Sequence, residues 1–203
     1  MLILVAALLL SPNSPSYDPT VNISAVREIE CDNHYGSGFL IAKNTIATAL
    51  HVASGSNCRD VATGKRLVTY KRDEVHDFAL VTGELPTEFP YIKYSCARFN
   101  PNQVYLAYGI SASGYGYYHP QRIIRQYTLT ATNEITDKDF TYDKTPHPGM
   151  RRLTGRAAPG TSGGPIVDLD GYAHGLVNAG HNLFGIPMGP SYSFEFADTI
   201  LCK

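Results

Sequence analysis

Residues 36–51 read GSGFLIAKNTIATALH, two apolar runs of β-favouring residues around a polar Lys43-Asn44 pair. That pattern predicts a β-hairpin with its turn at the polar pair. The same texture continues on both sides. RLVTYKR (66–72), DFALVTG (77–83), QVYLAYGI (103–110), RIIRQYTLTAT (122–132), GPIVDL (164–169) and AHGLVN (173–178) are short strand-like runs, divided by Gly, Pro, Asn and Asp. No segment before the C-terminus sustains helical periodicity, so the chain reads as all-β, an antiparallel sandwich or barrels. Only SFEFADTILCK (193–203), which can place Phe194, Phe196 and Ile200 on one face, predicts a terminal helix.

At 203 residues the chain can form one generous domain or two small units that share an interface. A proline-rich seam, GELPTEFPYIKYSCARFNPNQ (83–103), interrupts the strands and suggests units over 17–90 and 91–203. Seventeen basic and eighteen acidic side chains leave a formal charge of -1. With no basic stripe, a nucleic-acid partner is not expected. The N-terminal MLILVAALLL, followed by SPNSPS, resembles the apolar region of a secretory signal. As a helix it would rise about 15 Å, half of a bilayer core, so no stable membrane span is expected. Residues 1–16 are therefore read as a leader, which places the protein in a secreted or periplasmic compartment. Cys31, Cys58, Cys96 and Cys202 are widely spaced, with no C-x-x-C pair, which argues against a zinc site. Two disulfides in any of three connectivities fit an exported chain. No cofactor or metal is expected.

The chemistry concentrates at APGTSGGPIVDLDGYAHGLVNAG (158–180). Turn residues could account for it, but a serine set among glycines is also how a nucleophile is presented to a substrate. A nucleophilic Ser162 needs a base and an acid. His51 ends the apolar run TIATAL, where a rigid sheet would present it to a cleft, whereas His34, His119 and His147 sit in loops suited to solvated side chains. Asp77 stands at the mouth of an apolar strand, a setting in which a carboxylate is normally paired. His76 and Asp77 are neighbours that point to opposite faces and so should not pair with each other. Gly160-Thr161-Ser162-Gly163-Gly164 also fits the nucleophile elbow of α/β-hydrolases. That fold demands a helix directly after the serine, and here a hairpin follows, with 41 residues left in the chain.

Taken in order, GSGFLIAKNTIATALHV, HDFALV and APGTSGGPIVDLDGYAHGLVNAG resemble the three signature blocks of the chymotrypsin/trypsin-like serine proteases. The resemblance covers nearly everything from Gly36 to Lys203. It implies two antiparallel six-stranded β-barrels with a short C-terminal helix and an active site in the cleft between the barrels. It also implies a serine endopeptidase acting on polypeptide substrates through an acyl-enzyme. Ser162 is then the nucleophile, His51 the base, Asp77 the acid that holds it, and the N–H groups of Gly160 and Ser162 the oxyanion hole. A catalytically inactive protease-fold protein that binds peptides is the alternative. Thr161 stands where trypsins carry the Asp that pairs with a new N-terminus, so activation by that route is not expected. In this respect the chain is more like bacterial exported, phage or viral members. Asn178 stands where a serine hydroxyl supports the catalytic Asp in trypsins.

A Cys31–Cys58 bridge would clamp the segment that carries His51, and the resemblance docks the terminal segment with Cys202 near Cys96. The same likeness places the specificity pocket between the residues before Ser162 and the strand ending in Val177, Asn178, Ala179 and Gly180. With Ala157 on its base, that pocket predicts a small or medium apolar P1 side chain, although His181 turned into it would favour Glu or Gln. Arg156 disfavours cleavage after Lys or Arg. No partner domain follows the protease region, and a monomer is expected.

Overall fold

The structure is a computed structural model that describes residues 21–86, 88–101, 103–113, 121–134, 149–183 and 186–203. Of these, the side chains of 112–113, 121–134, 181–183 and 186–189 are not described. The leader, His119, His147 and the His181 side chain thus lie outside the described residues.

The hairpin of the opening stretch forms β2 (His34–Ala42) and β3 (Thr45–Ala49), with Asn44 at φ +59 in the turn. Asparagine is among the few residues that adopt this left-handed conformation readily. A register shift between Leu40 and Ala42 bulges β2 beside the turn. β1 (Val26–Cys31), β4 (Cys58–Asp60), β5 (Arg66–Asp73) and β6 (Phe78–Thr82) complete a closed barrel in the order β1-β2-β3-β6-β5-β4. Ile29, Leu40, Ile46 and Val81 share one face of its strands and Phe39 and Phe78 the other, each nearly inaccessible to solvent.

The second unit comprises β7 (Val104–Ser113), β8 (Gln121–Glu134), β9 (Met150–Leu153), β10 (Pro165–Val167), β11 (Ala173–Leu176), β12 (Ala179–Leu183) and β13 (Ile186–Phe194). They form a seven-stranded sheet in the order β11-β10-β7-β8-β9-β13-β12. The antiparallel bridge Gly175↔Glu195 runs on into the pairs Ala179↔Tyr192 and Gly180↔Ser191, so β11 and β12 are successive parts of one strand along β13 and the sheet closes on itself. Counted as one strand, β11 and β12 bring this unit to the six strands expected.

The seam is an extended strap fastened to both units. Ile92 N–H donates to Leu40 O (2.8 Å), while Ala173 N–H donates to Lys93 O and Ser95 N–H to Ala173 O (2.8 Å each). The terminal helix expected over 193–203 is corrected to a single 3-10 turn, Phe196–Asp198. Phe194 is still in β13, paired with Met150, and the extended backbone of Thr199 (φ -87, ψ 168) stops the turn. Phe196 is instead driven into a ring cluster with Phe39, Phe78 and Tyr94, centroids 5.8–6.5 Å apart. Burying one such ring contributes about 1.5–3 kcal/mol, more than one turn of helix offers.

Both disulfides are present: Cys31–Cys58 (Cα–Cα 4.0 Å) and Cys96–Cys202 (Cα–Cα 5.7 Å). The first joins residues directly opposite in the β1–β4 ladder. The second ties the end of the chain to the strap.

Candidate active site

His51 follows β3 and Asp77 precedes β6, and these two strands are neighbours paired from Thr45↔Thr82 to Ala49↔Phe78. The pairing brings the two side chains together across adjacent strand ends. His51 Nδ1 donates to Asp77 Oδ2 at 2.7 Å, and His51 N–H donates to Asp77 Oδ1 at 2.9 Å. Because a carboxylate only accepts, the proton sits on Nδ1, and Nε2 is the nitrogen free to take another. The imidazole is half exposed, with 49% of its surface open to solvent, while Asp77 keeps 26%.

Asp77 adopts φ +45, a costly backbone for a residue other than glycine. Leu50 N–H donates to Asp77 O at 3.1 Å and helps to hold it there. Asn178, buried after β11, completes the arrangement. Its Nδ2 donates to Asp77 Oδ2 and to Asp77 O, both at 3.0 Å, and its Oδ1 accepts from Phe194 N–H at 2.9 Å. Asn178 thus supports the carboxylate from the second unit, where the sequence alone left that support open. Burial pushes the Asp77 carboxyl up. The hydrogen bond and charge of His51, then the Asn178 amide, outweigh burial and hold it below the ordinary carboxylate value. His76, as expected, does not pair with Asp77: its ring nitrogen meets Asp73 at 2.9 Å.

Ser162 comes to the same cleft on a turn from the second unit. Ser37 N–H in β2 donates to Ser162 O at 2.7 Å. Gly163, at φ +85, lies so close to the first barrel that a Cβ would meet Ser37 O at 2.1 Å and Thr48 Oγ1 at 2.4 Å. Only glycine fits there, within two residues of the end of β3 and hence beside His51. Among the described residues neither Ser162 Oγ nor His51 Nε2 makes a hydrogen bond, and both are open to a substrate.

Upstream, Ala158 O accepts from Thr161 N–H at 3.1 Å across Pro159 and Gly160. Proline at the second position and Gly160 at φ +90 at the third are the marks of a type II turn. Gly164 N–H donates to Thr161 O at 3.0 Å. The N–H groups of Gly160 and Ser162 have no protein acceptor among the described residues.

The residues read as the specificity pocket divide. Ala157 and Val177 belong to one buried cluster with Phe99, Tyr105 and Leu153, and Asn178 is committed to Asp77. Ala179 and Gly180 are half-buried, and a Cβ on Gly180 would lie 3.0 Å from Ala157 Cβ, so the two stretches face one another closely. Arg156 is exposed. Among the described residues no group of three or more His, Cys, Asp or Glu side chains could hold a metal ion, and no helix is long and apolar enough to cross a membrane.

Sequence reasoning missed Ser37. Its signal was a polar residue between two glycines in an otherwise apolar strand. Gly38 is required by Ile46 and Ile29, which a Cβ would meet at 2.6 and 2.8 Å.

The trypsin-like peptidase domain family matches residues 36–176. No curated protein sequence matches significantly. Among solved structures, the Rv3671c protease in an inactive form is 17% identical, with 85% of this chain and 83% of that one covered at a TM-score of 0.64. A serine-to-alanine variant of Rv3671c from M. tuberculosis, also in an inactive form, is 18% identical over 91% and 89% of the two chains, at 0.68. The HtrA-type protease AlgW with a decapeptide is 18% identical, covering 89% of this chain but 64% of that one, at 0.64.

Proposed function

The chain belongs to the trypsin-like peptidase family, a serine-type peptidase, and on that footing we propose an endopeptidase that works through an acyl-enzyme on Ser162. Ser162 Oγ attacks the scissile carbonyl carbon while its proton passes to His51 Nε2. Asp77 holds the resulting imidazolium, and the carbonyl oxygen, now negative, lies between the N–H groups of Gly160 and Ser162. Collapse of this intermediate breaks the C–N bond, and His51 gives its proton to the departing amine. Water then repeats the sequence on the ester. The observation that carries this reading is the 2.7 Å bond from His51 Nδ1 to an Asp77 carboxylate that Asn178 steadies, set beside the Ser162 turn. The serine–histidine contact is one that tightens when substrate binds.

Ala179, Gly180 and the nearby Ala157 favour a small or medium apolar P1 residue, with exposed Arg156 opposing basic ones. The substrate is a polypeptide, the protein acts as a monomer, and export to an oxidising compartment suits its two disulfides. Hydrolysis of a peptide library tests the reading. Ser162→Ala or His51→Ala should each lower kcat by roughly a million-fold, because the members act as a unit. Cleavage should fall chiefly after Ala, Val or Leu. Wild-type turnover by Ser162→Ala removes the mechanism, and cleavage chiefly after charged residues removes the pocket assignment.

A further inference from the structure

Ser37 stands at a junction of three parts of the molecule, wholly buried. Its hydroxyl accepts from Ile110 N–H of β7 at 2.8 Å and donates to Gly160 O at 2.7 Å. Its own N–H donates to Ser162 O at 2.7 Å, and its carbonyl accepts from Thr48 Oγ1 at 2.7 Å. One residue of the first barrel therefore grips the carbonyls on both sides of Thr161. The carbonyl between them, Thr161 O, is taken by Gly164 N–H. Three successive carbonyls are thus committed on the inner side of the turn. These carbonyls fix the planes that carry the N–H groups of Thr161, Ser162 and Gly163, and Thr161 N–H closes the turn on Ala158 O, so the plane with the Gly160 N–H adjoins a fixed one at Gly160 Cα.

We propose that Ser37 is a positioning residue for the oxyanion hole: its hydroxyl fixes the Gly160–Thr161 peptide through Gly160 O, that peptide's N–H closes the turn on Ala158 O, and the turn so held keeps the adjoining Gly160 N–H toward the cleft. This rests on the endopeptidase reading above. The backbone bond from Ser37 to Ser162 O survives any substitution, so Ser37→Ala removes the acceptor for Ile110 N–H in β7 and, from the turn, only the bond to Gly160 O. Without it, Gly160 O loses its donor, and the turn is free to rotate its peptides and take the Gly160 N–H away from the substrate oxygen. A misplaced donor acts on the transition state far more than on the bound substrate. The loss therefore falls on kcat and spares KM.

The test compares Ser37→Ala, Ser37→Thr and Thr48→Val, each checked for folding by thermal melting. Thr48→Val removes a buried hydrogen bond to the same residue but leaves both of Ser37's bonds to the turn. Ser37→Ala should lower kcat about 10- to 100-fold, the scale of a small misplacement in a site, with KM within about twofold. Affinity for a peptide aldehyde, whose adduct carries an oxyanion, should weaken by the same factor. Thr48→Val should melt earlier yet keep kcat, and Ser37→Thr, which retains the hydroxyl, should restore most of it. Where alanine does not fold, Ser37→Cys, of similar shape and with a poor donor, should show the same loss. A folded Ser37→Ala or Ser37→Cys with wild-type kcat and aldehyde affinity overturns the assignment, as does an equal kcat loss in Thr48→Val. A wild-type protein that takes no fluorophosphonate label on Ser162 overturns instead the reading beneath it.

Discussion

Asn178→Ala is the perturbation that separates support of the acid from the chemistry itself. The substitution deletes two donor contacts to Asp77, at 3.0 Å each, and the acceptor for Phe194 N–H at 2.9 Å. Phe194 is 1% exposed, so its N–H is left buried without a partner, at a cost of about 1–3 kcal/mol. Losing the bond to the charged carboxylate adds about 1.5–3 kcal/mol. The melting temperature should drop by several degrees. The catalytic effect is smaller than that of losing a triad member, because His51 still donates twice to Asp77. About a tenfold loss of kcat/KM, or 1.4 kcal/mol, is the expected scale.

The pH dependence gives the sharper readout. Asp77 is held below its ordinary 3.8, so its contribution is complete above that value and is lost as the pH falls through the lower folded value. Removing the Asn178 amide takes away one of the causes that lower it, so the loss of stability on acidification should be smaller and should be complete at higher pH. Asn178→Ser retains a donor near Asp77 but does not reach Phe194. It should restore the wild-type acid limb without restoring the full melting temperature. Stability curves against pH and steady-state kinetics on the three proteins provide the assay. Wild-type kcat/KM together with an unmoved acid limb in Asn178→Ala would refute the support role.

Reducing the disulfides should destabilise unequally. The loop-entropy model assigns about 3.5 kcal/mol to Cys31–Cys58, separation 27, and about 4.7 kcal/mol to Cys96–Cys202, separation 106, so Cys→Ser pairs at the second should unfold at lower denaturant. Asp73 is a second acid-sensitive point. Burial pushes its carboxyl up, but His76 and the Ile200 N–H outweigh burial and hold it below 3.8. Its stability is present above that value and goes as the pH falls through the folded one, and His76→Ala should make acid unfolding begin at higher pH in a urea titration.

The strands with continuous apolar runs were legible because both of their faces are buried. β2, β3 and β6 show their hydrophobic residues in runs, and those residues are the buried ones. β1 was invisible for the opposite reason. Its sequence, VREIEC, carries three charges, yet all six residues are buried. Arg27 is buried because it meets Asp60 at 2.7 Å, and Glu30 because it meets Arg59 at 2.6 Å, partners distant in sequence. β13 contains two prolines and a glycine, which conceal a strand paired along much of its length with β12 and β9. The terminal helix failed because Glu195, fully buried, binds Arg98 and Arg151 at 2.7 and 3.1 Å, and fixes an extended backbone where helical spacing suggested a turn. The His51–Asp77 pair could be read because adjacent strand ends deliver it. Ser37 could not, since its role depends on a turn 123 residues away.

The most direct measurement is the mass of the protein after reaction with a fluorophosphonate, followed by peptide mapping with both disulfides intact. A single adduct on the peptide that contains Ser162 is predicted for the wild type, with the reaction greatly slowed in His51→Ala. A folded, disulfide-bonded wild-type protein that stays unmodified, or that reacts equally fast when His51 is alanine, contradicts a nucleophile activated by that histidine.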